Sequence, residues 1–350
     1  MRLGFNTNKH NLIMRIALAG SVNSSAKTLH ALIRHDMNIV GVLGLNAEKS
    51  AKVSGFVSME EIAGSNNIPF VGFDRINAEM VIQVVKDWQP DLLFVVGLSQ
   101  LVHAELLYIP KRGCVGFHPT WLPEGRGRAP IAWLTIEGRQ GAATFFLLEL
   151  GADSGPILAQ EPFYVGPDDF AEDVTISMET AIDKALDQWL PLLKAGYWNP
   201  RPQDDSKATY YGKRSPEDGL IDWNQNANMI YDLIRASSNP HPGAFTYCNG
   251  EPLIIWKAKL ESLKQIQGVT GSILLNSETD GWLIQTGTGC LWVRPEDLTG
   301  EGKSQIRVGT KLGFSLEVEI YRLTKRVLML ENQLAKILLN EYISNSSTPR

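Results

Sequence analysis

In the first third of the chain, short apolar runs alternate with stretches of helical spacing. "LIMRIALAG", ending at Gly20, reads as a buried first strand, residues 25–35 as a helix, and "NIVGVLGL" as a second strand. "IPFVGF" reads as a third strand, "AEMVIQVVKDW" as a helix, and "PDLLFVVGLS" as a nearly continuous apolar run behind a proline. Runs without a polar face suit strands covered on both sides. Strands of that kind, separated by helices, predict a parallel, doubly wound α/β sheet. "RGCVGFH" supplies the next strand and leaves His118 at its carboxyl end, where sheets of this kind bind their ligands. "VGLSQ", residues 96–100, ends the preceding strand in the same way.

The remaining chain is organised differently. "ATFFLLELGADSGPILAQEPFYV" reads as two strands joined by a Gly/Asp/Ser loop, and residues 171–195 as an amphipathic helix. "GYWNPRPQDDSKATYYGKRSPEDG" loses periodicity and is expected to be the interdomain linker. After it come one helix, "NANMIYDLIRAS", and short strands in "LIIWKAKL", "GSILL", "GWLIQT" and "CLWVRP", which predict a small β-barrel. At 350 residues the chain is too long for one ordinary core. The expected domains are 1–200, 201–312 and a terminal helix in 313–350.

Several functions are disfavoured by composition. Hydrophobic residues at 44% and charged residues at 20% describe a soluble globular protein, with no apolar run long enough for a membrane span. A net charge of −5 makes a nucleic-acid partner unexpected. The opening residues do not read as a signal peptide, because polar and charged groups interrupt them. Cys114, Cys248 and Cys290 are odd in number and widely spaced, forming neither a zinc pattern nor a disulfide framework. No metal and a reducing, cytoplasmic setting are expected. "GSVNSS" after the first strand lacks the dinucleotide-binding glycine spacing, and no P-loop motif occurs.

Taken alone, His118 is as well explained by a core histidine satisfied by a backbone carbonyl as by catalysis, and "GADSG" by turn chemistry. Together they suggest a shared crevice. A nearby Asp⁻ raises an imidazole pKa, so His118 beside Asp153 is expected to handle protons near neutral pH. That suits acyl transfer to an amine, which must lose a proton as the leaving nitrogen gains one.

"GFHPTWLPEGRGRAPIAW" followed by "LGADSGPILAQ" resembles the signature of formyltransferases that use N10-formyltetrahydrofolate, roughly N-x-H…L-P-x-x-R-G-x-x-P…D-x-G. "ATYYGKRSPEDGLIDWNQNANMIYDLIRA…PHPGAFTY" resembles the entrance to the second domain of the methionyl-tRNA and amino-sugar members. The resemblance covers residues 14 to about 310. It implies a Rossmann-like catalytic domain, an OB-like second domain and a folate cosubstrate. It also implies that His118 is the proton donor and that Asp153 raises its pKa. Gln100, Leu101, Val102 and Arg128, with the run Glu149, Leu150, Gly151, Ala152 and Asp153, are implied to form the folate pocket. Arg126 is expected to be the more solvated of the two arginines.

The chain departs from the pattern at Gly116, where the family carries an asparagine that stabilises the oxyanion. Loss of one such donor costs about 10²–10³ in rate. Gln100 or Ser99, at the neighbouring strand end, is expected to replace it. The alternatives are that His118 carries the oxyanion with a water, or that the chain is a weak or inactive relative. "GLNAEKSAKVSGFVSMEEIA" holds two lysines and no arginine where the tRNA-modifying branch carries a basic insertion, and "RGRAP" resembles the sugar branch. The expected acceptor is therefore a nucleotide-linked amino sugar. Methionyl-tRNA formylation, formyltetrahydrofolate hydrolysis and folate binding without chemistry are the alternatives.

"SLEVEIYRLTKRVLMLENQLAKILLNE" spaces Leu316, Ile320, Leu323, Val327, Leu330, Leu334 and Ile337 alternately by four and three. Mostly β-branched residues at a and mostly Leu at d favour a two-stranded coiled coil, so a homodimer is expected. Leu328, Met329, Leu338 and Leu339 widen the apolar face, which supports the alternative of packing on the same subunit.

Overall fold

A computed structural model describes residues 14–53, 55–261, 266–314 and 316–346. Leu12 and Ile13 of the expected first strand lie outside the described residues. The chain divides into two compact units. The first runs to Asp218 and takes in Arg235–Pro242; the second holds Gly219–Ile234 and the chain from Gly243 onward.

In the first unit the elements are β1 (Arg15–Gly20), α1 (Asn23–Arg34), β2 (Asn38–Leu45), α2 (Met59–Ser65), β3 (Phe70–Phe73), α3 (Glu79–Trp88), β4 (Leu92–Val95), α4 (Ala104–Leu107) and β5 (Cys114–His118). Then follow the two-residue β6 (Arg126–Gly127), α5 (Pro130–Glu137), β7 (Gly141–Leu147), β8 (Ile157–Phe163), α6 (Ala171–Lys194) and the two-residue β9 (Tyr210–Tyr211). The main sheet has the order β3-β2-β1-β4-β5-β7-β8. β1 lies between β2 and β4, which is why Ile16 to Gly20 are all buried and the run has no polar face. Helix α6 presents Val174, Met178, Ala181, Ile182, Ala185, Leu186, Trp189 and Leu190 to the core, spaced by three and four. Trp189 meets Phe94 and Phe145 at ring distances of 5.9 and 6.2 Å. Lys27 and Arg34 of α1 reach Asp183 and Asp187 of α6 at 3.0 and 2.7 Å, tying the helices together at the surface.

β1 to β5 are parallel, but β7 and β8 are antiparallel to their neighbours. His118 sits opposite Thr144, so the chain leaves β7 at the amino end of β5, where Leu148 N donates to Cys114 O at 2.8 Å. The loop carrying Asp153 is thus a hairpin connection, and it starts at the end of the sheet away from His118. Successive strands joined by a short loop pair antiparallel, because a parallel return needs a longer crossover.

The expected linker also proves different. Arg201 exchanges backbone bonds with Ile157, each 2.8 Å, and β9 lies parallel to β6. The stretch from 201 to 211 is docked on the first unit, which continues to Asp218 instead of ending at 200. It docks through backbone bonds to two strands, which require no hydrophobic period.

The second unit contains the antiparallel strands expected. Most of α7 (Ala227–Ser237) precedes β10 (Ala244–Cys248), β11 (Glu251–Ile255), β12 (Lys259–Leu260), β13 (Ile273–Ser277), β14 (Gly281–Gln285), β15 (Cys290–Val293) and β16 (Leu298–Thr299). They form two sheets, β10-β11-β16 and β12-β15-β14-β13. Leu312 bridges to Cys248 and Lys311 to Ser272, which links the two sheets. The last element is α8 (Leu316–Ser346). No helix among the described residues is long and apolar enough to cross a membrane.

The packing of α6 makes a paired prediction. Leu186 is fully buried and Ile176, on the same helix, is 58% exposed. Leu186→Ala should cost about 2–5 kcal/mol and Ile176→Ala within about 0.5 kcal/mol, read from urea unfolding of the full chain. Equal costs would contradict the assigned face.

Candidate active site

Along β5, Cys114, Gly116 and His118 point to one face of the sheet and Val115 and Phe117 to the other, as strand alternation requires. Val115 and Phe117 join the core beneath α6. His118 is 6% exposed, and its Nε2 lies 2.8 Å from Gly125 O. A carbonyl oxygen only accepts, so Nε2 carries the hydrogen and the neutral ring keeps its lone pair on Nδ1. Nδ1 stands 3.7 Å from Asp153 Oδ2. One ring nitrogen therefore makes the backbone bond of a core histidine, while the other faces a carboxylate. Asp153 adopts a left-handed conformation, φ 50°, and its Oδ2 accepts from Gly127 N at 2.8 Å. The loop after β7 thus folds back from Cys114 to His118.

The electrostatic outcome differs from the expectation. Burial pushes the His118 imidazole below its ordinary pKa, and this outweighs the upward pull of Asp153 and of the Gly125 carbonyl. The sequence shows the partner charge but not the depth of burial. At neutral pH the ring is neutral.

The burial of the two arginines is the reverse of that expected. Arg126 is 2% exposed, and Arg128 is the exposed one. Arg126 donates to Gln203 Oε1 at 2.8 Å, Asp205 Oδ1 at 2.7 Å and Tyr210 OH at 3.2 Å. Gln203 Nε2 in turn donates to Asp153 O at 2.8 Å and Gly155 O at 2.7 Å. Arg126 thus holds the docked segment, and that segment holds the Asp153 loop. Gly127 between them has φ 110°, and a Cβ there would collide with Tyr211 O across the β6–β9 pair. Thr209 completes the clasp, its Oγ1 accepting from Gly125 N at 2.8 Å.

At Gly116 the direction a side chain would take is occupied. A Cβ there would collide with Leu148 Cδ2 and lie 3.1 Å from Phe146 Cζ. An apolar side chain fills the place beside His118 where the resembled pattern has an amide. Of the expected replacements, Gln100 is bonded into the crevice wall: Oε1 accepts from Ile76 N at 2.8 Å and Nε2 donates to Asp74 O at 3.1 Å. Asn77 makes a matching clamp, donating to Leu101 O at 2.7 Å and accepting from His103 N at 2.8 Å. Ser99 is exposed at the same strand end.

The expected pocket residues form two loops. Leu101 is 83% exposed and Leu150 74%, while Val102 and Leu148 both pack on one core cluster beneath them. Exposed leucines on the loops after β4 and β7 each offer apolar surface, and Glu149, Gly151 and Ala152 are exposed beside Leu150. Thr120 Oγ1, two residues past His118, is buried with no hydrogen-bond partner among the described residues. An orphaned polar atom two residues from His118 and exposed apolar side chains on the two loops suit a ligand with both polar and apolar parts, such as folate. Among the described residues no group of three or more His, Cys, Asp or Glu is placed to hold a metal ion.

Sequence reasoning did not single out Asn77, Leu148, Gln203 or Thr209. A polar residue in a loop carries no sign of its partner, and of these four only Leu148 and Thr209 lay in or beside the stretches that carry the resemblance. The filled slot is testable without an assay of activity. Gly116→Asn should lower stability by about 1–3 kcal/mol through overpacking, and adding Leu148→Ala should recover much of it. Thermal unfolding of the three proteins checks this; a neutral single substitution would show that the slot is open.

The family model described as "Formyl transferase" matches residues 14–190, and "Formyl transferase, C-terminal domain" matches residues 213–311. HypX from Aquifex aeolicus in complex with tetrahydrofolic acid is similar in fold, with TM-score 0.58 and 18% identity over 80% of this chain. This chain spans 43% of HypX. An N-formyltransferase from Helicobacter canadensis, with folinic acid and dTDP-3-aminofucose, gives TM-score 0.59 and 15% identity, covering 80% of this chain and 99% of that one. Methionyl-tRNA formyltransferase from Clostridium thermocellum gives TM-score 0.52 and 20% identity, covering 74% and 100%. With both domain models matched in order over most of its length, the chain belongs to the formyl transferase family.

Proposed function

We propose that this chain transfers a formyl group from N10-formyltetrahydrofolate to the primary amine of a nucleotide-linked amino sugar. The observation that carries the reading is the buried His118 facing Asp153 at 3.7 Å. The cosubstrate, held by Leu101, Val102, Arg128 and the 149–153 loop, supplies the formyl carbon. His118 is neutral and keeps its Nδ1 lone pair for the proton of the attacking amine. Asp153 stabilises the imidazolium so formed, and the same nitrogen then gives the proton to N10 of tetrahydrofolate as the bond between N10 and the formyl carbon breaks. Gln100 is bonded into the wall, so we assign the missing oxyanion donor to the Ser99 hydroxyl. Three free, buried cysteines support the reducing, cytoplasmic setting we propose.

Two observations support the sugar acceptor. The chain lacks a Lys/Arg cluster after the second strand, and tRNA is a polyanion. The H. canadensis enzyme, with dTDP-3-aminofucose, has the higher TM-score, 0.59 against 0.52, and covers more of this chain, 80% against 74%, than the methionyl-tRNA formyltransferase. Leu148 in the Gly116 slot favours a second reading, a folate-binding or formyltetrahydrofolate-hydrolysing relative. Purified protein should formylate a UDP- or dTDP-linked amino sugar in a mass-spectrometric screen. Formylation of methionyl-tRNA and of no sugar would overturn the proposal. Formate release without acceptor, or binding without turnover, would establish the second reading.

The proton-handling role has its own signature. His118→Ala and Asp153→Ala should each lower turnover at least about 100-fold. A histidine held below its ordinary pKa is neutral at pH 7, so turnover should be level from neutral pH upward and fall on acidification as His118 protonates. Asp153→Asn removes the charge that pulls this pKa up, so the falling limb should move to lower pH. A limb that falls on the alkaline side, with no loss in acid, would make the imidazolium the working form and contradict the assignment.

A further inference from the structure

The heptad seam of α8 from Leu316 to Ile337 keeps its a and d side chains between 51% and 61% exposed. None of them is covered, so the alternative of packing on the same subunit does not describe this face. A helix of 31 residues draws its stability in water chiefly from a packed apolar face, and the described a and d side chains of this one pack against nothing. We propose that α8 pairs with α8 of a second copy of this chain in a parallel, in-register, two-stranded coiled coil.

The residues at the seam select that occupant. Ile320 and Val327 at a with Leu323 and Leu330 at d favour two strands. In the parallel register each g residue meets the e residue five positions on in its partner. Arg326 then faces Glu331 on both sides of the dyad, and no like charges meet. Glu319, also at g, is bonded to Arg322 of its own helix at 2.9 Å. An antiparallel pair over the same span brings Arg326 against its own copy. Covering the seam on both helices removes on the order of 1,000 Å² from water, the size of a specific interface. The partner is self-complementary, as a two-fold interface requires.

Sedimentation equilibrium of the full chain tests the proposal. The expected result is twice the mass of the chain, and the mass of a single chain for Val327→Lys combined with Leu330→Lys. Both side chains are already about half exposed, so the two units should keep their thermal unfolding, and the far-UV circular dichroism should lose no more than the helical signal of α8. Ile337→Cys reports direction, because the three native cysteines are buried. Parallel helices should crosslink at 337 on mild oxidation, whereas antiparallel ones hold the two thiols about 30 Å apart. A monomeric wild type, an assembly of more than two chains, a lysine variant that stays dimeric, or no crosslink at 337 would each overturn the proposal.

Discussion

Asp153 Oδ2 accepts from Gly127 N at 2.8 Å and stands 3.7 Å from His118 Nδ1. One carboxylate therefore joins the end of β5, the loop between the two arginines and the hairpin after β7. Its left-handed backbone is held from behind by Gln203, which Arg126 holds in turn. These groups are mutually dependent. A buried donor or acceptor left unmatched costs about 1–3 kcal/mol, so loss of Arg126 is felt at the Asp153 loop without Arg126 reaching the crevice. The docked segment from 201 to 211 is accordingly a structural part of the site.

The wall opposite Asp153 follows a different logic. Leu148 occupies the direction in which a side chain at 116 would point, and Gln100 and Asn77 bind the β4–α4 turn to the loop after β3. Backbone bonds hold His118 and Asp153 in place, and an apolar side chain fills the direction at Gly116 where the proposed chemistry would develop charge. Electrostatic stabilisation of such charge is a large part of acyl-transfer catalysis. With the exposed Ser99 hydroxyl as the proposed donor in place of an amide at 116, a slower catalyst is expected.

The five parallel strands were legible because a strand buried on both faces must be apolar throughout, as β1 and β4 are. His118 and Asp153 were legible as a motif, and α8 as a heptad. β10 was missed: five residues of "AFTYC" alternate too briefly to stand out from the "HPG" before them. The direction of β7 was hidden because a hairpin and a crossover differ only in the length of their connection. Arg126 and Arg128 are the same residue type two positions apart, and only the partners Gln203, Asp205 and Tyr210, some 80 residues on, decide which is buried. The downward pKa shift of His118 depends on burial depth, which no local pattern encodes.

The central claim is that His118 rests in the crevice as a neutral ring protonated on Nε2, its Nδ1 lone pair turned to Asp153. Nitrogen-15 NMR of the imidazoles in the full chain, titrated with pH, tests this directly. The chain has six histidines, and His118→Gln assigns the resonance. The account predicts a neutral Nε2–H tautomer at pH 7 that becomes protonated only in acid, below the ordinary histidine range. A ring charged at neutral pH, or one protonated on Nδ1 alone, would contradict it.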